Sequence, residues 1–467
     1  MRGEVALSPG VILDLFPFPV ITAFMPKRPN ILFLIMDDQR PDTLGPDSAF
    51  PVETPHLDQL RAEGTTFERH YVTTPICTPG RAEVLTGRHS YNNGVRWFGQ
   101  PIRPELPLLP RVLAAVGYHT IHVGKWHNDG HPREKGYHRV RREMHDSLLP
   151  YKENGHTMEW EEEGRRVRGH STEMFCDAAI EEMTQAPEDR PWFCYLALHS
   201  PHDPFQAPEE FLPGVGHLPE NFMPVYPRDN GDMTIRDELL LPFPRKPEEV
   251  REYRRQYAGM IRHHDFHLGR LFAHLRKTGE WDNTLVVFTS DHGLAVGDHG
   301  LLGKENMHEH SCRIPCILRG PGIEKEKSVQ QLTHHVDFLP TLCEIAGIKA
   351  PPGDGISLFD EKGREFLCSG FTSPHPDPEK PFRETQRMIV TEEWKFIRYP
   401  VSGHSALYHL ARDPAETDNL LAGWRTEPDP RWNYRPPIAK EHLHSVTEDL
   451  RERLAAWGAR NNDPLYS

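Results

Sequence analysis

Carboxylates follow two apolar runs of the chain at the point where each run ends. Asp37 and Asp38 come directly after residues 30–36, and Asp291 comes directly after residues 284–290. Three carboxylates that lie together repel one another and shift each other's pKa unless a cation neutralises them. Oxygen ligands of this kind favour Ca²⁺ or Mg²⁺. If the ends of the two runs meet in space, these side chains form a divalent-cation site.

Basic and imidazole side chains follow two further apolar runs. Lys125 and His127 come after residues 119–124, and His202 comes shortly after residues 193–198. Lysine cations suit negative charge that develops on an anion during a reaction. An imidazole that titrates near neutral pH suits proton transfer.

Cys77 lies in a segment that predicts the start of a helix. Pro79 is well suited to the first turn of a helix, which places residue 77 at the helix N-terminus. Developing negative charge is favoured there, because the free backbone N–H groups and the helix dipole point toward it. Arg81 can point back toward the same position as a fixed donor. Residue 77 is therefore suited to chemistry in which an anion forms.

The four apolar runs are the elements that must bring these side chains together. Each is nearly continuous in hydrophobic residues, as is typical of strands buried on both faces of a largely parallel sheet. In open α/β sheets, ligands bind outside the carboxyl ends of the strands. Four strand ends that carry Asp, His and Lys therefore predict one shared site.

We predict an α/β fold in which a large, mostly parallel or mixed central sheet is flanked by helices. Apolar residues at helical spacing predict one long helix within residues 249–277. The proline-rich residues 351–385 predict a boundary between two domains. The predicted organisation is an N-terminal extension at residues 1–25, a catalytic domain at residues 26–360 and a smaller C-terminal α+β subdomain at residues 361–467. That subdomain is predicted to contain a short antiparallel sheet and one helix.

Composition and charge exclude some partners. The chain has 467 residues and a net charge of −14, so the molecule as a whole repels nucleic acids and acidic membranes. An anionic substrate must therefore be attracted by a local basic pocket. No stretch reaches the roughly 18 uninterrupted apolar residues of a membrane span. The seven cysteines show no CxxC spacing, which predicts buried free thiols and a reducing compartment.

The N-terminal residues 1–24 bear on location. They are fairly apolar but contain Glu4, Asp14 and two prolines, and no small-residue cleavage site is evident. We predict that Met25 is the natural start and that the protein is cytoplasmic. A degenerate signal peptide, and hence a periplasmic or secreted protein, is the alternative.

The segment around Cys77 resembles the signature of the sulfatase family. That signature is a Cys-x-Pro-x-Arg core followed by an apolar helix and Thr-Gly, here Cys77-Thr-Pro-Gly-Arg81 and Thr86-Gly87. The resemblance runs from about residue 28 to residue 420, and its motifs stand in the family's order. They are Arg28-Pro-Asn-Ile-Leu, Gly124-Lys-Trp-His, His199-x-Pro-His, Asp291-His-Gly, Gly303-Lys304, Thr333-His-His-Val-Asp, Leu407-Tyr408 and Asp413-Pro-Ala-Glu.

This resemblance implies an alkaline-phosphatase-like fold and a formylglycine at position 77. In the family, a separate maturation enzyme reads Cys-x-Pro-x-Arg and oxidises the cysteine to an aldehyde. One hydroxyl of the aldehyde hydrate attacks sulfur, and collapse of the other then expels sulfate, whereas an ordinary serine would remain a stable sulfate ester. The sequence departs from many relatives at Gly80, where they have Ser or Ala, so we expect maturation to be less efficient.

The resemblance also implies the ligands of the cation. Ca²⁺ is the first choice, held by Asp37, Asp38, Asp291 and His292, with the hydrated formylglycine at Cys77 as a further ligand. Relatives often have Asn where this chain has His292, and an imidazole leaves Mg²⁺ or Mn²⁺ possible.

Four side chains match the family's sulfate-binding and acid–base positions: Lys125, His127, His202 and Lys304. The resemblance implies that His202 or Lys304 is the general acid and that His127 assists elimination. Near Lys304, His308 replaces the aromatic residue that is usual in the family.

Substrate contacts are predicted after the helix that follows Cys77. A mixture of arginine, asparagine and tryptophan suits a sugar ring, through stacking and hydrogen bonds to hydroxyl groups. An exposed loop explains the same residues equally well. The candidates are Arg88, Asn92, Asn93, Arg96 and Trp97.

The predicted function is hydrolysis of a sulfate ester, with a sulfated carbohydrate as the first-choice substrate. Phosphate and sulfate are nearly isosteric, so a phosphonate monoester or phosphodiester hydrolase with the same formylglycine and metal is the alternative. A silent member that only binds sulfated glycans is disfavoured because Cys77, Arg81 and the aspartates are all retained. Direct use of Thr78, as in an alkaline-phosphatase-like enzyme, is disfavoured by the intact Cys-x-Pro-x-Arg.

Other histidines are interpreted as structural. None of them has an evident full set of metal ligands in the sequence, although His263 and His267 lie one helical turn apart. The remaining members of this group are His199, His299, His334 and His335.

Overall fold

The computed structural model describes most of the chain. It covers residues 28–45, 50, 52–145, 156–162, 165–214, 216–219, 222, 237–238, 240–242, 244–373, 384–421 and 438–466. The predicted N-terminal extension and the suggested start at Met25 lie outside the described residues.

A nine-stranded mixed sheet forms the centre of the larger part of the molecule. Eight strands follow one another in the order β11-β2-β10-β8-β1-β7-β3-β4, and β9 pairs with β2. The strands of this sheet are β1 (Asn30–Met36), β2 (Thr65–Tyr71), β3 (His119–Lys125), β4 (Arg139–Met144), β7 (Trp192–Ala197), β8 (Thr284–Ser290), β9 (Arg313–Ile314), β10 (Cys316–Arg319) and β11 (Lys327–His334). Residues Thr157–Glu162 and Arg165–His170 form β5 and β6, a separate two-stranded sheet.

The four apolar runs of the sequence are four neighbouring parallel strands, β8, β1, β7 and β3. All residues of β1, β7 and β8 are buried, because helices cover both faces of the sheet. Met36 pairs with Ser290, and Gly124 pairs with Ala197, so the four carboxyl ends lie along one edge. The predicted α/β fold with its mixed central sheet is confirmed.

Helices pack on both faces of this sheet and account for two large hydrophobic clusters. The helix predicted within residues 249–277 spans Pro247–Thr278 and ends at Gly279, whose φ of 77° is the left-handed conformation that glycine adopts readily. The helices are α1 (Pro55–Ala62), α2 (Cys77–Thr86), α3 (Ser90–Asn93), α4 (Leu109–Ala115), α5 (Ser171–Thr184), α6 (Pro247–Thr278), α7 (Glu309–Cys312), α8 (Phe338–Ile345) and α9 (Lys440–Arg460). Short 3₁₀ helices span Pro41–Thr43, Pro132–Lys135, Glu209–Phe211, Trp281–Asn283 and His335–Asp337.

A four-stranded antiparallel sheet and helix α9 make up the C-terminal part, as predicted. The strands, in sheet order, are β12 (Leu367–Ser373), β13 (Glu384–Val390), β14 (Trp394–Tyr399) and β15 (His404–His409). Other elements were not predicted one by one. Among them, strand β12 lies inside residues 351–385, where flanking prolines obscured it, and the β5–β6 hairpin lies outside the four predicted strands.

All seven cysteines are unpaired and buried, as predicted. Within the described ranges, no helix combines the length and apolar character needed to cross a bilayer.

Candidate active site

Cys77 is the first residue of helix α2 and lies beside the carboxyl ends of β1 and β8. Ile76 is extended and Pro79 occupies the first turn, so the helix begins where the sequence predicted. The Cys77 side chain is only 1% exposed. Its Sγ lies 3.6 Å from Asp37 Oδ1 and 3.2 Å from His292 Nε2. The thiol therefore marks where an oxygen on residue 77 would lie among the strand-end side chains.

Three aspartates meet at this point. Asp37 and Asp38 follow β1, Asp291 follows β8, and all three are fully buried. The Asp38 backbone N–H donates to Asp291 Oδ1 at 3.3 Å, which ties the two strand ends together. Asp38 has a φ of 73°, a conformation that costs energy for a residue with a side chain and recurs at functional sites. This turn directs both neighbouring carboxylates into one cluster.

Cations surround Asp37. Its Oδ2 forms an ion pair with Lys125 and lies 3.7 Å from Arg81 Nη2. Arg81 also pairs with Asp291 at 2.9 Å. Burial raises the pKa of Asp37, but attraction by Lys125 and its other basic neighbours outweighs burial and holds that pKa well below its usual value. Asp37 is thus an anion at neutral pH.

Lys304 and His202 form the opposite wall of the cluster. Lys304 Nζ lies 3.1 Å from Asp38 Oδ1 and 2.9 Å from His202 Nε2. His202 Nδ1 lies 2.7 Å from the backbone oxygen of Asp203, to which it can donate its proton. That bond leaves Nε2 as the acceptor from Lys304, because a neutral imidazole carries one N–H. Burial and Lys304 hold the pKa of His202 well below its usual value.

The cluster has the donor set that a divalent cation requires. Asp37, Cys77, Asp291 and His292 each offer an atom, and these atoms lie within 4.8 Å of one another. Burial lowers the pKa of His292, but the neighbouring Asp291, Cys77 and Asp38 outweigh burial and raise it well above its usual value. Burial and Asp37 raise the pKa of Asp291. A bound cation would relieve the repulsion among these buried carboxylates, and the four donor atoms lie close enough together to bind one.

His127 lies at the partly exposed side of the cluster. Its φ of 51° is another left-handed conformation of a residue other than glycine. Burial and Lys125 lower its pKa well below the usual value, so the ring is neutral. The ring of Phe98 stacks on it, with centroids 5.4 Å apart, and Phe98 is 36% exposed. Phe98 was not predicted as a site residue because nothing in its local sequence shows that it faces the end of β3.

Two further residues form hydrogen bonds that hold Asp37 and Asp38 in position. His199 Nδ1 lies 3.2 Å from Asp37 Oδ2, so this histidine positions a carboxylate as well as shaping its loop. Tyr257 on α6 donates its hydroxyl to the Asp38 backbone oxygen at 2.7 Å and accepts from the Arg40 backbone N–H at 3.1 Å. The sequence showed Tyr257 only as one member of an apolar helical stripe.

Three of the residues predicted to contact substrate form hydrogen bonds with other parts of the chain. Arg88 donates to the Pro352 backbone oxygen at 2.7 Å, and Asn92 donates to Asp354 at 2.9 Å. Asn93 is fully buried and caps its own turn. These groups are hydrogen-bonded within the chain, and their predicted contact with substrate stays a prediction.

The other two predicted contacts lie beside Phe98. Trp97 packs edge-on against Phe98, with centroids 5.2 Å apart, and also against Phe371 of the C-terminal sheet. The Arg96 backbone N–H donates to Gln100. Through Phe98, this loop reaches His127, and substrate contact by Trp97 or Arg96 stays a prediction.

The remaining histidines that the sequence marked as structural are buried. His263 and His267 lie with their Nε2 atoms 3.0 Å apart under the ring of His170. His335 Nε2 lies 2.8 Å from the Ser290 backbone oxygen, below the end of β8. No third ligand for the pair on α6 is found among the residues that the structure describes.

Gly80 lets helix α2 approach the end of β8 closely. A Cβ at this position would lie 2.7 Å from the Asp291 backbone oxygen. We expect Gly80→Ala to destabilise the fold by about 1–3 kcal/mol and to weaken cation binding, because Asp291 must shift. Thermal unfolding and calorimetric Ca²⁺ titration measure both effects. Gly214→Ala is the control, since a Cβ there meets nothing within 4 Å. Equal behaviour of the two variants contradicts the prediction.

Two family models match the chain. Residues 29–348 match the model described as Sulfatase, and residues 297–428 match the model described as N-sulphoglucosamine sulphohydrolase, C-terminal. The first match contains β1, β3, β7 and β8, and hence every residue of the cluster.

Individual relatives extend over most of the chain. An N-acetylglucosamine-6-O-sulfatase of Bacteroides thetaiotaomicron is 25% identical, over 85% of this chain and 83% of its own length. The structure of BT4656 in complex with its substrate, D-glucosamine-2-N,6-O-disulfate, superposes with a TM-score of 0.76 at 22% identity, over 94% of this chain and 99% of that one. A phosphonate monoester hydrolase from Silicibacter pomeroyi superposes with a TM-score of 0.73 at 24% identity, over 93% and 96%. The two structural likenesses concern the fold.

Proposed function

Since the chain belongs to the sulfatase family of the alkaline phosphatase superfamily and is a sulfuric ester hydrolase, we propose that it cleaves a sulfate ester on a sulfated carbohydrate. We further propose that Cys77 acts after oxidation to formylglycine, beside a divalent cation. One observation carries this proposal. Cys77, the proposed nucleophile, has its Sγ 3.6 Å from Asp37 Oδ1 and 3.2 Å from His292 Nε2.

The side chains around residue 77 are arranged to bind a tetrahedral anion. A formylglycine hydrate supplies a hydroxyl that attacks sulfur and a second hydroxyl whose loss of a proton releases sulfate. Lys125 and Lys304 lie on two sides of the cluster, and their ammonium groups would neutralise sulfate oxygens. The N-terminus of helix α2 adds backbone donors at the same point. Arg81 holds Asp37 and Asp291 in place.

Lys304 and His202 are the proposed source of the proton for the leaving alcohol. Lys304 donates to His202 Nε2, so a proton held between the two can move toward a substrate oxygen. Burial lowers the pKa of Lys304, but Asp38 and its other acidic neighbours outweigh this and keep Lys304 protonated. His127 is neutral and able to accept a proton from residue 77, as elimination of sulfate requires.

Asp37, Asp38, Asp291 and His292 would hold the cation, which supplies positive charge for the sulfate oxygens and favours the ionised form of a hydroxyl near it. Three carboxylates make Ca²⁺ the first choice, and the single imidazole leaves Mg²⁺ and Mn²⁺ as alternatives.

A sulfated sugar is the proposed substrate for two reasons. A relative that spans most of the chain is named as an N-acetylglucosamine-6-O-sulfatase. In addition, the exposed face of Phe98 lies beside His127, where a sugar ring could stack on it.

The test combines mass spectrometry with a substrate panel. The protein is co-expressed with a formylglycine-generating enzyme. The mass of the peptide that contains residue 77 then shows whether the thiol has been converted to an aldehyde. The matured protein is then assayed with sulfated mono- and disaccharides and with an aryl sulfate. Turnover that rises with the aldehyde content supports the proposal. Equal turnover by fully unmodified protein overturns it.

A phosphonate monoester or phosphodiester hydrolase is the second candidate. The fold likeness to a phosphonate monoester hydrolase favours keeping it. The same matured protein is assayed with an aryl phosphonate monoester and an aryl phosphodiester. A larger kcat/KM on these than on every sulfate ester in the panel would select the second candidate.

We expect Phe98→Ala to raise KM for a sulfated sugar by about two- to tenfold, because stacking on an aromatic face contributes about 0.5–1.5 kcal/mol. Steady-state kinetics measure the change, and cation affinity should not change. Phe359→Ala is the matched control, since Phe359 is similarly exposed at 37% on another part of the surface. An unchanged KM for the Phe98 variant would show that substrate does not reach this ring.

A further inference from the structure

A second cluster of possible metal ligands lies outside the candidate active site. It consists of His299, His308 and Glu416, which we call the second histidine cluster. One ring nitrogen of each histidine and one carboxylate oxygen lie within 4.8 Å of one another, and all three side chains are at most 1% exposed. His308 Nδ1 and Glu416 Oε2 are 3.2 Å apart. Donor atoms of a tetrahedral zinc site lie roughly 3.3 Å apart, since each is about 2.0–2.2 Å from the metal.

Two imidazole nitrogens at this place have no hydrogen-bond partner within the described part of the chain. They are Nδ1 of His299 and Nε2 of the neighbouring His310, whose side chain is 6% exposed. A buried imidazole with an unpartnered nitrogen costs free energy unless something binds that nitrogen.

The charges around the cluster are already paired. Lys395 Nζ lies 2.8 Å from Glu416 Oε1 and 3.0 Å from Glu309. Glu416 Oε2 faces His308 and also accepts from the Glu309 backbone N–H at 2.7 Å. Arg40 pairs with Asp298. A divalent cation bound here would therefore not face an unpaired ammonium or guanidinium group. Arg254 and Arg313, which line the adjacent space, are paired with Asp298 and Glu309.

A cavity of about 270 Å³ borders the cluster and provides room for an ion and its water. Its lining includes His299, His310 and Glu416. The three ligands come from separate parts of the fold. His299 lies in the turn that precedes Lys304, His308 directly precedes helix α7, and Glu416 follows the C-terminal strand β15. A bound metal would join the C-terminal part to the segment that carries Lys304.

We propose that His299, His308 and Glu416 bind a zinc ion, with a water from the adjoining cavity as the fourth ligand. Imidazole nitrogens with one carboxylate are ligands that zinc prefers in proteins, whereas calcium prefers oxygen alone. The site is structural, because its ligands do not touch residue 77, and it is independent of the proposed substrate.

The test uses a full-length parent with Cys77→Ala, Asp38→Asn and Asp291→Asn, which removes donors from both groups of possible metal ligands in the candidate active site. After removal of metals with a chelator, zinc is titrated calorimetrically, and thermal unfolding is followed with and without zinc. We expect one zinc per chain and a higher Tm with zinc. His308→Phe keeps an aromatic ring against His299 and Tyr408 but removes a ligand, so zinc binding should weaken at least about 100-fold.

His404→Phe is the control, because His404 is an exposed residue of β15, and zinc binding should be unchanged. Zinc binding that is absent from the parent, or that survives His308→Phe, overturns the proposal. If His308→Phe does not fold, X-ray absorption spectroscopy at the zinc edge of the parent identifies the atoms that bind zinc. Two imidazole nitrogens and a carboxylate oxygen at about 2.0–2.2 Å support the site, and a shell without imidazole overturns it.

Discussion

Cys77→Ser, made in a host that cannot modify serine, should lose sulfate-ester turnover by about 10⁴-fold or more. Serine retains a hydroxyl at the same place, at the start of helix α2 and beside Asp37 and His292. It lacks the second hydroxyl, so sulfate transferred to it would remain as a stable ester. The expected kinetics are therefore at most a single turnover, followed by a serine that carries sulfate.

Intact mass spectrometry after incubation with substrate detects that adduct, and a steady-state assay measures the loss. Cys343→Ser is the matched control, because Cys343 is also a buried thiol but lies in helix α8. The control should keep its turnover even if it unfolds at a lower temperature. Multiple turnovers by Cys77→Ser at the rate of the matured protein would contradict the proposed role of residue 77.

Asp291→Asn should weaken cation binding by at least about 100-fold and reduce turnover in proportion. Loss of a group that only supports a metal ligand costs about 10–100-fold, and Asp291 is a proposed ligand. The substitution also removes the charge that Arg81 pairs with at 2.9 Å, so Arg81 would be left with Asp37 at 3.7 Å. Calorimetric Ca²⁺ titration of the chelator-treated protein gives the affinity, and excess Ca²⁺ should restore part of the activity.

Asp177→Asn is the control for this change. Asp177 pairs with Arg270 on the surface, where ion pairs contribute about 0–1 kcal/mol, so affinity and turnover should stay as they were. If Asp291→Asn binds Ca²⁺ as tightly as the parent, Asp291 is not a ligand of the cation.

The residues that the structure brings together were marked in the sequence by their position after apolar runs. Asp37, Lys125 and Asp291 each follow or end a strand whose local pattern is readable, and parallel strands present their carboxyl ends at one edge. Cys77 was marked by the helix start that Pro79 indicates. Local patterns of this kind depend only on neighbours in the chain, which explains why they were sufficient for the fold class and the location of the cluster.

Contacts between distant segments were decided only by the tertiary structure. Tyr257 lies in an apolar helical stripe, and only the packing of α6 against the end of β1 gives its hydroxyl to Asp38, 219 positions away. The stacking of Phe98 on His127 likewise depends on tertiary packing. Asn92, which was predicted to contact substrate, instead donates a hydrogen bond to Asp354. Hydrophobic periodicity determines which face of an element is buried, but not which side chain it meets there.

The sequence by itself therefore determined the four central strands of the sheet, the helix at Cys77 and the acidic and basic strand ends. The tertiary structure alone decided how these charges pair, which neighbours hold them, and that His299, His308 and Glu416 lie together. The physical reason is that strand and helix patterns are local, whereas pairing of buried charges and imidazoles depends on how separate elements pack.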